Sequence, residues 1–74
     1  MRVTVIVQAS SENDTLNLIA FPEYGGKRFN ASVSLSQALA VDGGKMLEGY
    51  TPGDQFLVEL EQDPDKITKV IGRK

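Results

Sequence analysis

Residues 27–35 read KRFNASVSL, and the alternation of apolar and polar side chains within them decides the fold class. The odd positions from 29 to 35 are apolar, whereas the even positions from 28 to 34 are polar or charged. Successive side chains of a strand point to opposite faces of a sheet, so a period of two predicts a strand with one buried face. The residues expected on the buried face are Phe29, Ala31, Val33 and Leu35.

Two strands are expected before this one, because the same alternation runs through residues 2–9 and 15–21. The segment 10–14, SSEND, provides the turn between them. In the loop FPEYGGKRF, residues 21–29, Pro22 ends the second strand and two glycines supply the positive φ angles of a hairpin connection. The inward residues expected in these two strands are Val3, Val5, Val7, Leu16, Leu18 and Ala20.

The chain after the third strand is expected to form a short helix and two more strands. Ser36 can cap the helix, and Gly43-Gly44 stops it. Proline and glycine then occupy the central positions of a type II turn before the fourth strand. In chain order, these elements are a helix over 37–40, a turn over 51–54, and strands over 55–62 and 67–71.

The elements therefore follow the order strand, strand, strand, short helix, strand, strand. This order resembles that of the OB-fold, a five-stranded Greek-key barrel that often carries a helix between its third and fourth strands. The sequence thus predicts an all-β protein with one short helix, folded as a small five-stranded barrel of OB-like type. An SH3-like barrel is the alternative, because residues 36–49 can also be read as an irregular loop. Since there is no repeat or linker, residues 1–74 are expected to form a single small β-barrel domain.

Composition excludes several classes of function. The 74 residues include no cysteine and no histidine, so neither a Ser-His-Asp triad, nor a thiolate nucleophile, nor the usual structural zinc site can be assembled. We therefore expect no enzymatic activity, no metal and no small-molecule cofactor. No segment reaches the roughly 20 apolar residues that span a bilayer, so no membrane partner is expected, and the lack of cysteine favours a cytoplasmic location. Eight basic and ten acidic residues leave a net charge of −2, which gives no global cationic field for nucleic acid.

Acidic residues and a glycine pair offer three further candidate sites, each with a simpler interpretation. Glu59 and Glu61 lie about 7 Å apart on one strand face, a separation open to a catalytic carboxylate pair, but such neighbours are typical of a solvated surface. Acidic residues in segments 12–14 and 63–65 offer oxygen ligands for calcium or magnesium, yet turn chemistry explains them. Residues 42–45, DGGK, lack the earlier glycine and the following Ser or Thr of a phosphate-binding loop.

The best candidate for function is the outward face of the first three strands, together with the loop at 21–29. Aromatic rings on such a face can stack unpaired bases, and neighbouring cations can meet phosphates. We therefore predict weak, low-specificity binding of single-stranded nucleic acid, with an affinity that falls steeply as salt is added. The alternative is a protein partner on the same apolar face, as a homodimer, an adaptor or an inhibitor of another protein. The residues assigned to this site are Arg2, Ile6, Asn17, Ile19, Phe21, Tyr24, Lys27, Arg28 and Asn30.

Overall fold

Five antiparallel strands form one sheet in the computed structural model, which describes residues 2–23 and 25–74. The elements are β1 (Arg2–Glu12), β2 (Thr15–Pro22), β3 (Phe29–Ser34), α1 (Leu35–Leu39), a 3₁₀ turn (Gly44–Leu47), β4 (Gln55–Glu61) and β5 (Lys66–Arg73). The hydrogen-bonded order across the sheet is β3-β2-β1-β4-β5, so the first strand of the chain is the central one. The predicted fold class, mainly β with a short helix after the third strand, is confirmed.

The core lies against one face of the sheet, and the predicted alternation of inward and outward residues is confirmed there. Each strand contributes side chains that are at most 2% exposed, except β3, whose inward residues are 5% exposed. Val3, Phe29 and Leu35 were also predicted to face inward, and they are partly buried at the margin of the core. The most deeply buried large side chains are Phe56, Leu16, Leu18, Leu47, Leu60, Ile67, Val5, Val7, Val58 and Val70.

The ends of β3 and α1 differ from the sequence prediction. Lys27 and Arg28 precede β3 instead of belonging to it, and Leu35 opens α1 instead of closing β3. The N-cap of α1 is Ser34, not Ser36, since the Ser34 Oγ accepts a hydrogen bond from a first-turn amide at 3.3 Å. β1 and β5 also extend beyond their predicted ends, because polar residues there still pair with the neighbouring strand.

The segment between β3 and β4 holds two short helical pieces, α1 and the 3₁₀ turn. Gly43 lies between them with a φ of 78°, a left-handed conformation that favours glycine. The Val70 amide of β5 donates a hydrogen bond to the Asp42 carbonyl oxygen at 2.9 Å, which holds this segment against the edge of the sheet. The predicted helix is therefore confirmed, although it ends before the glycines, at Leu39. No helix within residues 2–23 and 25–74 is long and apolar enough to cross a membrane.

Two turns adopt the conformations that their residues predict. Gly53 has a φ of 98°, and the Asp54 amide donates to the Thr51 carbonyl oxygen at 2.9 Å, as in a type II turn. Gly25 and Gly26 have φ angles of 96° and 107° in the connection between β2 and β3. Because glycine adopts positive φ without steric cost, both loops reverse the chain at the predicted positions.

The edge strands β3 and β5 approach each other, and α1 contacts both of them. Gln37 on α1 donates from its Nε2 to the Ile67 carbonyl oxygen of β5 at 3.4 Å. Ala38, on the same helix, is fully buried against the core. The helix therefore covers part of the gap between the two edges of the sheet.

Candidate functional site

An apolar row crosses the outward face of the sheet at right angles to the strands. On β1, Ile6 pairs with Phe21 of β2 on one side and with Leu57 of β4 on the other. All three side chains are half-buried, although they lie opposite the core. Ile19 lies two residues from Phe21 on the same face and is 37% exposed. We refer to Phe21, Ile6 and Leu57 as the apolar row.

An open groove with a volume of about 550 Å³ lies beside this row on β1, β2 and β3. Ile19 is at its centre, paired with Gln8 of β1 and with Asn30 of β3. Two residues before Ile19 on the same face of β2, Asn17 pairs with Ser10 and with Ser32. The side chains that define this amide groove are Gln8, Ser10, Asn17, Ile19, Asn30 and Ser32. Three carboxamides and two hydroxyls thus surround one aliphatic side chain.

Hydrogen bonds within the amide groove set the orientation of two of its carboxamides. The Ser32 Oγ donates to the Asn17 Oδ1 at 3.0 Å, which leaves the Asn17 amino group as a donor for a ligand. The Gln8 Nε2 donates to the Gly53 carbonyl oxygen at 3.4 Å, which leaves the Gln8 carbonyl as an acceptor. The Asn30 carboxamide makes no hydrogen bond to any other residue that the structure describes, so it remains able to both donate and accept.

Lys27 and Arg28 supply positive charge on the β3 side of this face. Both side chains are exposed, and Arg28 directly precedes Phe29, which pairs with Ala20. The next residue of β2 is Phe21, so the backbone register brings Arg28 to the β3 end of the apolar row. Arg28 is thus the cation that the register places nearest to the apolar row, with Lys27 next to it in the chain.

Arg2 lies apart from the other predicted site residues. Its guanidinium group makes ion pairs with Glu61 at 3.4 Å and with Glu59 at 3.9 Å, both on β4. Four residues of extended strand, about 13 Å, separate it from Ile6. The structure therefore joins Ile6, Asn17, Ile19, Phe21 and Asn30 on one face. It places Lys27 and Arg28 in the exposed segment just before β3 and leaves Arg2 at the far end of β1. Tyr24, the remaining predicted residue, lies outside the described residues.

The carboxylate of Asp14 has a structural role in the turn between β1 and β2. It accepts hydrogen bonds from the Ser34 Oγ at 3.0 Å and from the amide and Oγ of Ser36, both at 3.1 Å. These bonds, with that from Ser34 first, hold the pKa of Asp14 below its ordinary value. Asp14 therefore joins the turn to the start of α1 instead of serving local turn chemistry, and no three acidic side chains among residues 2–23 and 25–74 are grouped to hold a metal ion.

Sequence reasoning did not assign Leu57, Ser10 or Gly53 to the site. Leu57 completes the apolar row only because β4 pairs with β1, and the alternation within a single strand carries no information about its partner. Gln8 and Ser32 were expected on the outward face but were not assigned to the site. Their role depends on the cross-strand register, which brings amide and hydroxyl side chains from three strands next to each other on the outward face.

Comparisons with known proteins assign this chain to no family. No protein-family model, no curated protein and no solved structure matches it. Function is therefore inferred from the chemistry of the outward face.

Proposed function

We propose that this protein is a non-enzymatic binding module whose outward β1–β3 face binds single-stranded nucleic acid with low sequence specificity. The observation that carries this proposal is the juxtaposition of the amide groove and the apolar row on one face, with two exposed cations just before β3 at its edge. Unpaired bases are recognised in proteins by apolar and aromatic surfaces together with polar groups that reach their edges. All three components are present here, on β1, β2, β3 and β4 and in the segment that leads into β3.

Each component has a defined part in binding. Phe21 and Ile19 offer surfaces for the faces of bases, and the carboxamides offer hydrogen bonds to their edges. Lys27 and Arg28 meet phosphates at the β3 end of the apolar row. The acidic hairpin at 12–14 lies at the opposite end of β2 and repels phosphate. The backbone of a bound strand is therefore expected to run past Arg28, with its bases directed into the amide groove.

The proposal extends to the architecture, in which the sheet closes as an OB-like barrel. Three observations support it: the strand order β3-β2-β1-β4-β5, the helix between β3 and β4, and the approach of β3 to β5 beneath that helix. The OB-fold uses its second and third strands as part of its ligand face. The SH3-like alternative is less favoured, because an irregular loop was its basis and the segment holds α1 and a 3₁₀ turn.

A salt titration with a labelled single-stranded 12-mer tests the proposed function. Each phosphate contact contributes about −0.7 to the slope of log affinity against log salt. Since Arg2 is engaged by two glutamates, Lys27 and Arg28 give an expected slope of about −1.4, shallower than the steep dependence predicted from sequence. Arg28→Ala is expected to halve that slope. Lys45→Ala, an exposed cation on the 3₁₀ turn, serves as the matched control and leaves the slope unchanged.

Failure of the 12-mer to bind even at low salt would refute this function.

A protein partner is the second candidate function, and the apolar row favours it. Leu57 pairs with Gly72 of β5, and the neighbouring Ile71 is 41% exposed. Exposed and half-buried apolar side chains of this kind are typical of an interface core. Self-association that Ile6→Asp abolishes in analytical ultracentrifugation supports this candidate, whereas a monomer at high concentration opposes the homodimer version.

A further inference from the structure

We propose that the amide groove pairs with the Watson–Crick edges of unpaired bases, so that the protein selects single strands over duplexes without selecting among bases. This inference rests on the proposed function and assigns its selectivity to Asn17, Asn30 and Gln8. The cations at positions 27 and 28 then contribute attraction for any strand, and the groove contributes the requirement that the bases be unpaired.

The chemistry of a carboxamide explains this combination. An Asn or Gln side chain carries one acceptor beside a pair of donors. The free Watson–Crick edge of every base likewise includes a donor next to an acceptor, although their order differs between bases, and guanine adds a second donor whereas cytosine and thymine add a second acceptor. A carboxamide that can turn by 180° therefore pairs with all four bases. In a duplex these edges are already occupied by the opposite strand, so pairing at the Watson–Crick edge is lost, and the major-groove edge that remains suits a carboxamide at adenine only.

Asn30 has the freedom that such pairing requires, because its carboxamide has no hydrogen-bond partner among the described residues. The carboxamides of Asn17 and Gln8 are instead held in fixed orientations by hydrogen bonds. Asn17 presents a donor because Ser32 occupies its carbonyl oxygen, and Gln8 presents an acceptor because its amino group is directed to Gly53. A base that enters the groove thus meets one adaptable amide, one fixed donor and one fixed acceptor.

Ile19 and the absence of charge complete the fit of the groove to a base. Ile19 lies between Gln8 and Asn30 in the register, where its side chain can contact the flat, apolar face of a base. None of the described residues that line the groove is charged. A phosphate gains no ion pair there, whereas a neutral base gains hydrogen bonds and apolar contact.

Methylation at N3 of thymine separates base-edge pairing from every other contribution. A thymidine 12-mer and its N3-methylthymidine counterpart have the same number of phosphates and the same ring faces, but the methyl group removes the donor of the edge. We expect the methylated strand to bind about tenfold more weakly, the difference that a lost bidentate pair produces. Adenine, cytosine and thymine 12-mers are expected to agree in affinity within about threefold. Equal binding of the methylated strand, or a preference above about tenfold for one base, would overturn the inference.

Variants of the groove assign the effect to its residues. Asn30→Ala and Asn17→Ala are expected to reduce the discrimination against the methylated strand from about tenfold to about threefold, with the salt slope unchanged. Gln62→Ala is the matched control, because this amide follows β4 at the far end of the sheet, and the control retains full discrimination. Thermal denaturation of each variant verifies that it is folded. If no strand binds at low salt, the proposed function itself fails; if strands bind with the expected slope but methylation has no effect, only this inference fails.

Discussion

The backbone of Gly43 lies directly against the carbonyl oxygen of Val70, so closely that a Cβ atom at position 43 would collide with it. This close approach explains Gly43, and a Cβ atom at Gly44 would collide with the carbonyl oxygens of Ala38 and Leu39, so packing accounts for the glycine pair in DGGK without any phosphate. Gly49 offers a matched comparison, because its φ of 67° is also positive but a Cβ there would meet nothing within 4 Å.

Gly43→Ala is expected to lower the free energy of unfolding by about 3 kcal/mol, as the sum of left-handed backbone strain and a displaced contact. Gly49→Ala has the backbone strain alone, so its loss is expected to be about 1 kcal/mol. Urea denaturation of the two variants beside the parent protein measures both values. Equal losses in the two variants would mean that the contact with Val70 contributes nothing.

Acid is expected to weaken the link between the first hairpin and α1 through Asp14. Its hydrogen bonds to Ser34 and Ser36 lower its pKa in the folded protein below the ordinary value of 3.8. A carboxyl group with a lowered folded pKa stabilises the fold above its unfolded pKa, and that contribution is lost as the pH falls below about 4 through the folded pKa. Melting temperatures measured from pH 7 to pH 2 should therefore fall more for the parent than for Asp14→Asn. Glu12→Gln removes a nearby carboxylate and controls for net charge; if it flattens the profile equally, the assignment to Asp14 is wrong.

Arg28 and Arg2 are expected to differ in their effect on oligonucleotide binding, although sequence reasoning assigned both to the site. Arg28→Ala removes a cation beside the apolar row, and the affinity for a 12-mer at low salt should fall several-fold. Arg2→Ala removes a cation that is already paired with Glu59 and Glu61, so the affinity should change less than twofold. Loss of these exposed ion pairs is expected to cost at most about 1 kcal/mol of stability. Anisotropy titrations of both variants in one buffer make the comparison, and equal losses would place the bound strand across Arg2 as well.

Tyr50→Phe is expected to leave the stability unchanged or to raise it by up to about 1 kcal/mol. The Tyr50 ring packs edge-on against Phe56, with 6.3 Å between centroids, and Phe retains this contact. The hydroxyl oxygen is buried without a hydrogen-bond partner among the described residues, and burial of an unsatisfied polar atom is destabilising. Urea denaturation measures the change. A loss above about 1 kcal/mol would reveal a hydrogen bond to this hydroxyl.

The sequence predicts the positions of the strands, the helix and the turns more completely than it predicts which strands pair with each other. Alternation within single strands located β1 to β4, and glycine, proline and aspartate located the turns, of which the last delimits β5, because both signals are local. The partners of a strand are not local properties, so the pairing of Ile6 with Leu57 and of Arg2 with Glu61 could not be predicted. Those pairings determine the candidate site, since one completes the apolar row and the other removes a predicted phosphate contact. The cap of α1 was misplaced for a similar reason: Asp14, distant in sequence, holds Ser34 and Ser36 together.

The central place of β1 in the sheet bears on how the chain reaches its native state. β1 can form a meander with β2 and β3 at once, but its other edge pairs with β4, and Arg2 meets Glu61 across a separation of 59 positions. Closing so long a loop costs chain entropy before the β1–β4 contacts form, and this slows folding. β proteins dominated by such distant pairings fold in about milliseconds to seconds. Until β4 pairs, the free edge of β1 exposes unpaired backbone N–H and C=O groups. A partly folded chain is therefore most prone to mispair with other chains at β1, the strand that is central in the native sheet.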